Sequence, residues 1–327
     1  MEKATLLEVH NLRTYFTLRK GTVRAVDDIS FSLAHGEALG LVGESGCGKT
    51  TSALSIANLL PPEGHIAGGR ILLEGTDLAR LSEREIRTHR WKDVSIVFQG
   101  AMNALNPVMR IGEQIVEVIL LHQKLSRQQA LERTAQLLDF VEIPPARLRD
   151  YPHEFSGGMK QRVMIAMALA CSPKLIIGDE PTTALDVMVQ AQILNLFEKL
   201  RRELNMGLIM ITHDLAILSE TCDRIAVMYA GKIVETGTVE DIFDRRAHPY
   251  TRKLIECFPV VGQEKVIPDG IPGVIPNMMA PPPGCAFHPR CEFAGPLCRE
   301  AIPESMHLGG QHWAACHHIE GQTGGEG

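Results

Sequence analysis

Gly43-Glu44-Ser45-Gly46-Cys47-Gly48-Lys49-Thr50 reads as a glycine, four residues and then Gly-Lys-Thr, the spacing of a phosphate-binding loop. Ahead of it Ala38-Leu39-Gly40-Leu41-Val42 has the unbroken apolar character of a buried strand, and Thr51 to Leu60 reads as a helix. The loop therefore falls where a strand feeds a helix N-terminus. Glycines let the backbone wrap closely around a polyphosphate, while amide groups and the helix dipole point at its negative charge. Lys49 adds a point charge near the β- and γ-phosphates, Thr50 is the candidate Mg²⁺ ligand, and Thr51 completes the nucleotide-binding run from Gly43.

Working outward, 327 residues suffice for one large domain with an appendage, and 45% hydrophobic with 22% charged residues is ordinary for a globular chain. A net charge of -6 argues against a surface built mainly for nucleic acid. No run approaches about 18 consecutive apolar residues, and the N-terminus lacks a basic stretch followed by an apolar one, so the expectation is a chain without membrane span or secretion signal, held in the cytosol.

Residues 6–17 and 23–33 alternate apolar and polar side chains about an Arg19-Lys20-Gly21 turn, the pattern of an antiparallel pair. Tyr15 or Phe16 is the candidate for stacking on an adenine ring. A strand is expected from Gly68 to Leu73, a charged helix from Glu83 to Arg90, and a strand over Val94 to Phe98 that ends at Gln99, a polar group positioned to reach a nucleotide and its cation. Helical periodicity then covers residues 112–121 and 127–141. Phe155-Ser156-Gly157-Gly158-Met159-Lys160-Gln161-Arg162 opens another helix, with Ser156 as N-cap and two glycines that allow close approach to an anion.

Leu175-Ile176-Ile177-Gly178-Asp179-Glu180-Pro181 is an apolar strand ending in two acids, a costly arrangement without a cation. Asp179 is placed for Mg²⁺ and Glu180 to polarise an attacking water. Asp186 precedes an amphipathic helix, and His213 follows the apolar strand Gly207 to Thr212, in reach of a terminal phosphate. A hairpin around Ala230-Gly231 closes this part near residue 245.

From His248-Pro249-Tyr250 the composition turns to loop residues rich in proline, read as an extension that continues neither sheet nor helix. Within it Cys285, Cys291, Cys298 and Cys316 leave gaps of five, six and seventeen residues. Four thiolates so spaced suit a tetrahedral zinc ion or an iron-sulphur cluster, and spacing does not choose between them.

In their order, the phosphate loop, Gln99, Ser156-Gly157-Gly158, the Asp179-Glu180 pair, Asp186 and His213 resemble the ATP-binding subunit of an ABC transporter from residue 5 to about 245. Met159 stands where the family's signature usually has glutamine, as it does in the peptide-importer branch, and Gly178 where an alanine is frequent. The resemblance implies an α/β P-loop NTPase fold of the ABC nucleotide-binding type, with an antiparallel β subdomain, a helical subdomain and a loop-rich C-terminal extension. Its expected parts are an ATP-binding core over 1–99 and 163–245, a helical and signature part over 100–162, and the extension over 246–327.

The same resemblance implies that two such domains pack head to tail, as a homodimer or with a different ATPase chain. Ser156, Gly157, Gly158, Met159, Gln161 and Asp186 of one would then serve the nucleotide of the other. Glu180, His213 and Gln99 would be catalytic, with Mg²⁺ on Thr50, Gln99 and Asp179. Two membrane permease subunits and, indirectly, an extracytoplasmic binding protein are the implied partners, at the cytoplasmic face of the membrane. The tail resembles that of oligopeptide and dipeptide importer ATPases, which implies a 4Fe-4S cluster on Cys285, Cys291, Cys298 and Cys316. Nickel and oligosaccharide import share this branch. A DNA- or ribosome-associated ATPase of the same type is the alternative class, disfavoured by the acidic charge.

Overall fold

The computed structural model describes residues 4–98, 104–183, 185–257 and 270–319. Strands β1 (Thr5–Leu18) and β2 (Gly21–Ala34) form the long antiparallel hairpin expected from their alternation, in register from Thr5 opposite Ala34 to Leu18 opposite Gly21. After β3 (Ala38–Val42) and helix α1 (Lys49–Ile56), strands β4 (Gly64–Leu73) and β5 (Thr76–Asp77) complete a four-stranded sheet of order β2-β1-β4-β5. Its apolar face, with Leu7, Val9, Leu12 and Ile71 wholly buried, packs in one core with Ala53 and Ile56 of α1.

Next come α2 (Glu83–Ile86) and β6 (Val94–Val97), then α3 (Ile111–His122), α4 (Arg127–Phe140) and α5 (Gly157–Ala168), and then β7 (Leu175–Asp179). The main sheet continues through α6 (Val187–Leu204), β8 (Gly207–Ile211), α7 (Leu215–Thr221), β9 (Arg224–Tyr229) and β10 (Lys232–Thr238). Strands β3, β7 and β8 are buried at every position, as parallel strands covered on both faces must be. The order β9-β3-β8-β7-β6 puts the carboxyl ends of β3, β7 and β8 side by side, where an open α/β sheet presents its ligand site. Helices α3 and α4 stack Ile115, Val116 and Ile119 against Ala130, Leu137 and Leu138, and Ser126 with Gln129 forms a capping box at the start of α4.

Two expectations fail here for identifiable reasons. The helix expected to run from Glu83 to Arg90 stops at Ile86, because the backbone bonds then tighten to turns three residues apart, Thr88 N to Glu85 O and His89 N to Ile86 O, and Trp91 takes a left-handed φ of 61°. The proline-rich extension does contain regular elements: α8 (Pro249–Glu256), α9 (Pro296–Glu300), β11 (Met306–Gly309) and β12 (His312–Ala314). Strand β12 pairs antiparallel with β10, covering a row of backbone groups that would otherwise form an open edge. The sheet thus grows to eight strands and binds the extension to the nucleotide core. Among the described residues no helix is long and apolar enough to cross a membrane.

Candidate functional site

The loop between β3 and α1 is shaped by glycines that tolerate no side chain. A Cβ on Gly43 would lie 2.1 Å from the carbonyl oxygen of Met228, and one on Gly48, at φ 109°, 2.4 Å from that of Ala25. Lys49 is buried under the loop, its ammonium donating to the carbonyls of Gly43 at 2.7 Å and Glu44 at 3.1 Å, with Cys47 Sγ 3.7 Å away. The first amides of α1, which have no partner within the helix, are the donors an incoming anion would meet.

Thr50 Oγ1 donates to Asp179 Oδ1 at 3.1 Å, which joins the loop to the acid pair at the end of β7. Burial pushes the Asp179 carboxyl up in pKa and the charge of Glu180 adds to this, against the bond from Thr50 and the charge of Lys49. Such a carboxylate gains from a cation. A threonine hydroxyl and one carboxylate are the sparse oxygen set that suits Mg²⁺, which takes its remaining ligands from water and phosphate.

Glu180 holds a left-handed backbone, φ 47°, that costs a non-glycine residue about 1–3 kcal/mol. Its amide donates to Ile211 O at 2.9 Å, Thr183 donates to Oε2 at 3.0 Å, and His213 Nδ1 lies 3.3 Å from Oε1. The acid from β7 and the histidine after β8 therefore meet, as their neighbouring strands allow. Gln99 falls outside the described residues.

Ser156 caps α5 by accepting the Met159 amide at 3.4 Å, and Asp186 caps α6 by accepting that of Val189 at 2.9 Å. Gly158 packs on Val189, where a Cβ would come within 2.4 Å of a methyl group. Gln161 is buried with its Nε2 unpartnered. The Gly158–Val189 packing joins α5 to α6. Tyr15 is tied to β2 by a 2.7 Å hydrogen bond from its hydroxyl to Asp27.

Sequence reasoning missed the residues that fasten the extension to the loop. Arg290 makes a two-pronged ion pair with Glu44, at 2.6 and 3.0 Å, and Tyr250 Oη accepts the Glu44 amide at 2.9 Å. Tyr229, Tyr250 and Phe287 support this junction with ring centroids 4.6–5.4 Å apart. A carboxylate inside a phosphate loop was the available signal, since it asks for a nearby cation. Glu235 was missed as well: fully buried, it accepts the amides of Ala247 and His248 and lies 2.8 Å from His312 Nε2.

The cysteines of the extension are neighbours. Burial raises the pKa of Cys285 to about 11 and raises those of Cys291 and Cys316, with the other thiols adding to the effect. The thiol of Cys316 accepts the amide of His318 at 3.4 Å. Yet among the described residues no group of three or more His, Cys, Asp and Glu side chains is placed to hold a metal ion. A single-ion site on these cysteines, the zinc form of the expectation, is therefore not found among the described residues, while the four thiols lie near enough for their charges to raise one another's pKa.

A parallel sheet with a glycine-rich loop leading into α1 and paired acids beside it defines a P-loop nucleotide-binding cassette. Comparison narrows this. Residues 26–183 match the ABC transporter family model, and residues 234–298 match that of the oligopeptide/dipeptide transporter C-terminal region. The chain is 49% identical to the oligopeptide transport ATP-binding protein OppD of Salmonella typhimurium, covering 91% of this chain and 89% of that one. It is 46% identical to the dipeptide transport ATP-binding protein DppD of Bacillus subtilis, over 97% and 95%. Of solved structures, cbiO1 from Clostridium perfringens, part of the ABC transporter complex cbiONQ, superposes with TM-score 0.64 and 28% identity, over 75% of this chain and 92% of that one. The cassette MJ0796, solved as a dimer bound to ADP and Pi, has the same fold at TM-score 0.65 and 24% identity, over 72% and 99%. The chain belongs to the ATP-binding proteins of the ABC transporter family.

Proposed function

We propose that this chain is the ATP-hydrolysing motor of an importer of oligopeptides or dipeptides, working at the cytoplasmic face of a membrane with permease subunits. The observation that carries the catalytic part is the Thr50–Asp179 hydrogen bond, which brings phosphate loop and acid strand to one point. In this reading Gly43 to Thr51 cradle the triphosphate and Tyr15 faces the adenine. Thr50 and Asp179, with Gln99, would hold Mg²⁺, which would supply positive charge to the terminal phosphates. Glu180 takes a proton from the attacking water, and His213, already beside it, holds the carboxylate and the terminal phosphate in register.

Ser156, Gly157, Gly158, Met159, Gln161 and Asp186 belong to the second half of a composite site. They complete the pocket of a partner cassette when the pair closes on ATP, and hydrolysis reopens it. Peptide cargo is inferred from the names of the similar proteins. The resemblance further assigns the four cysteines a 4Fe-4S cluster, with zinc the alternative their spacing leaves open; no step here runs through either group.

Glu180→Gln should keep MgATP binding and lower turnover by about 10²- to 10⁴-fold, as expected for removing a general base. Cells lacking this chain should fail to take up labelled peptides, regain uptake with the unaltered chain, and not with E180Q. Full turnover in E180Q would move the base elsewhere, and undiminished uptake without the chain would refute peptide import.

A further inference from the structure

Glu44 places a carboxylate inside a loop whose amides and lysine receive a polyphosphate, where its charge opposes that of the ligand. The extension supplies the opposite charge from 246 residues away. Arg290 Nη1 and Nη2 donate to Glu44 Oε2 and Oε1 at 2.6 and 3.0 Å, the parallel two-bond geometry that a guanidinium forms and an ammonium does not. The Arg290 side chain is only 3% exposed, so water screens the pair little.

The guanidinium is itself fixed by the carbonyls of Pro272 at 2.8 Å and Ile271 at 3.0 Å, with Tyr229 Oη at 3.3 Å. Glu44 is meanwhile held at its amide by Tyr250 and at its carbonyl by Lys49. All three of its polar groups have partners, two of them from the extension or its adjoining helix.

We propose that Arg290 is a positioning residue of the ATP site: it neutralises the Glu44 carboxylate and turns it away from the phosphates, making nucleotide affinity depend on the C-terminal extension. Arg290 touches no nucleotide in this account. It acts through Glu44, and it sits directly before Cys291, so the cysteine-bearing segment and the phosphate loop share one ion pair.

The inference rests on Gly43 to Thr50 being the nucleotide site. Equilibrium MgATP binding and steady-state kinetics of the full-length chain test it. Arg290→Met should weaken binding roughly tenfold, the order expected on losing hydrogen bonds to a charged group, and raise KM with little change in kcat. Adding Glu44→Gln to R290M should restore most of the affinity, because the uncompensated charge is then gone. A strut without an electrostatic role would show unchanged affinity in R290M, or a loss that E44Q fails to relieve, and either result overturns the proposal. Melting curves check folding, and should R290M not fold, Arg290→Gln with and without E44Q carries the same comparison, since it too removes the charge while leaving an amide to bond the carbonyls of Pro272 and Ile271. Lys49→Ala separates the premises: lost binding in K49A with none in R290M refutes the clamp alone, whereas no loss in K49A refutes the nucleotide site.

Discussion

His248 is an ionisable side chain converted by burial into a structural acceptor. Its Nδ1 accepts the Tyr250 amide at 3.0 Å and so caps α8, and its own amide donates to Glu235 at 2.9 Å. Burial lowers its pKa from 6.5 to about 4, with the charge of Glu235 opposing weakly. The unfolded chain therefore takes up this proton at a higher pH than the folded one. Stability from neutral His248 is complete above about pH 6.5 and declines as the pH falls toward 4. His248→Asn keeps a capping acceptor without titrating, and its melting temperature should fall less steeply across that window than that of the unaltered chain. Equal slopes would show that other groups dominate. The sequence did hold a helix start at His248-Pro249, since proline favours the first helical position, but the prolines beyond it obscured the signal.

The hairpin of β11 and β12 is held to β10 by backbone pairing and by a buried side-chain contact. His312 and Glu235 meet at 2.8 Å with side chains 2% and 0% exposed, and the Ala315 amide donates to Val234 O at 2.8 Å. Removing the imidazole by His312→Ala leaves the buried Glu235 with one hydrogen-bond partner fewer, a loss of about 1–3 kcal/mol. Hydrogen exchange should then accelerate at residues 306–315 while β3 and β8 stay protected, and uniform acceleration would mean that the hairpin is not a separate unit. Strands β3, β7 and β8 are legible in the sequence because five consecutive buried residues leave an apolar run. Three- and four-residue strands in a proline-rich tail leave no period to read, and α2 is cut short by a backbone turn at Thr88 to Trp91 that a charged helical pattern does not announce.

In the molecule as a whole, the two proposed halves of the nucleotide pocket stand on different elements, the phosphate loop between β3 and α1 and the capping residues Ser156 and Asp186 at the starts of α5 and α6. Val187 and Met188, next to the Asp186 cap, are 80% and 73% exposed, apolar side chains that a closed pair would cover. When two copies of this chain form that pair, Lys49→Ala and Ser156→Arg chains should each lose turnover alone and recover part of it on mixing, because one pocket of the mixed pair is intact. No recovery, or full activity in a dilute monomer, would count against the composite site. The phosphate loop, the acid strand, the capping serine and the cassette class were all determined by the sequence, because each is a contiguous run whose chemistry and periodicity are local. Only the tertiary structure decided that Glu44 belongs to Arg290, that Glu235 gathers Ala247, His248 and His312, and that the cysteines are neighbours without forming a metal-holding group. Such pairings join residues far apart along the chain, and a charge or thiol carries no local sign of the partner that folding brings to it.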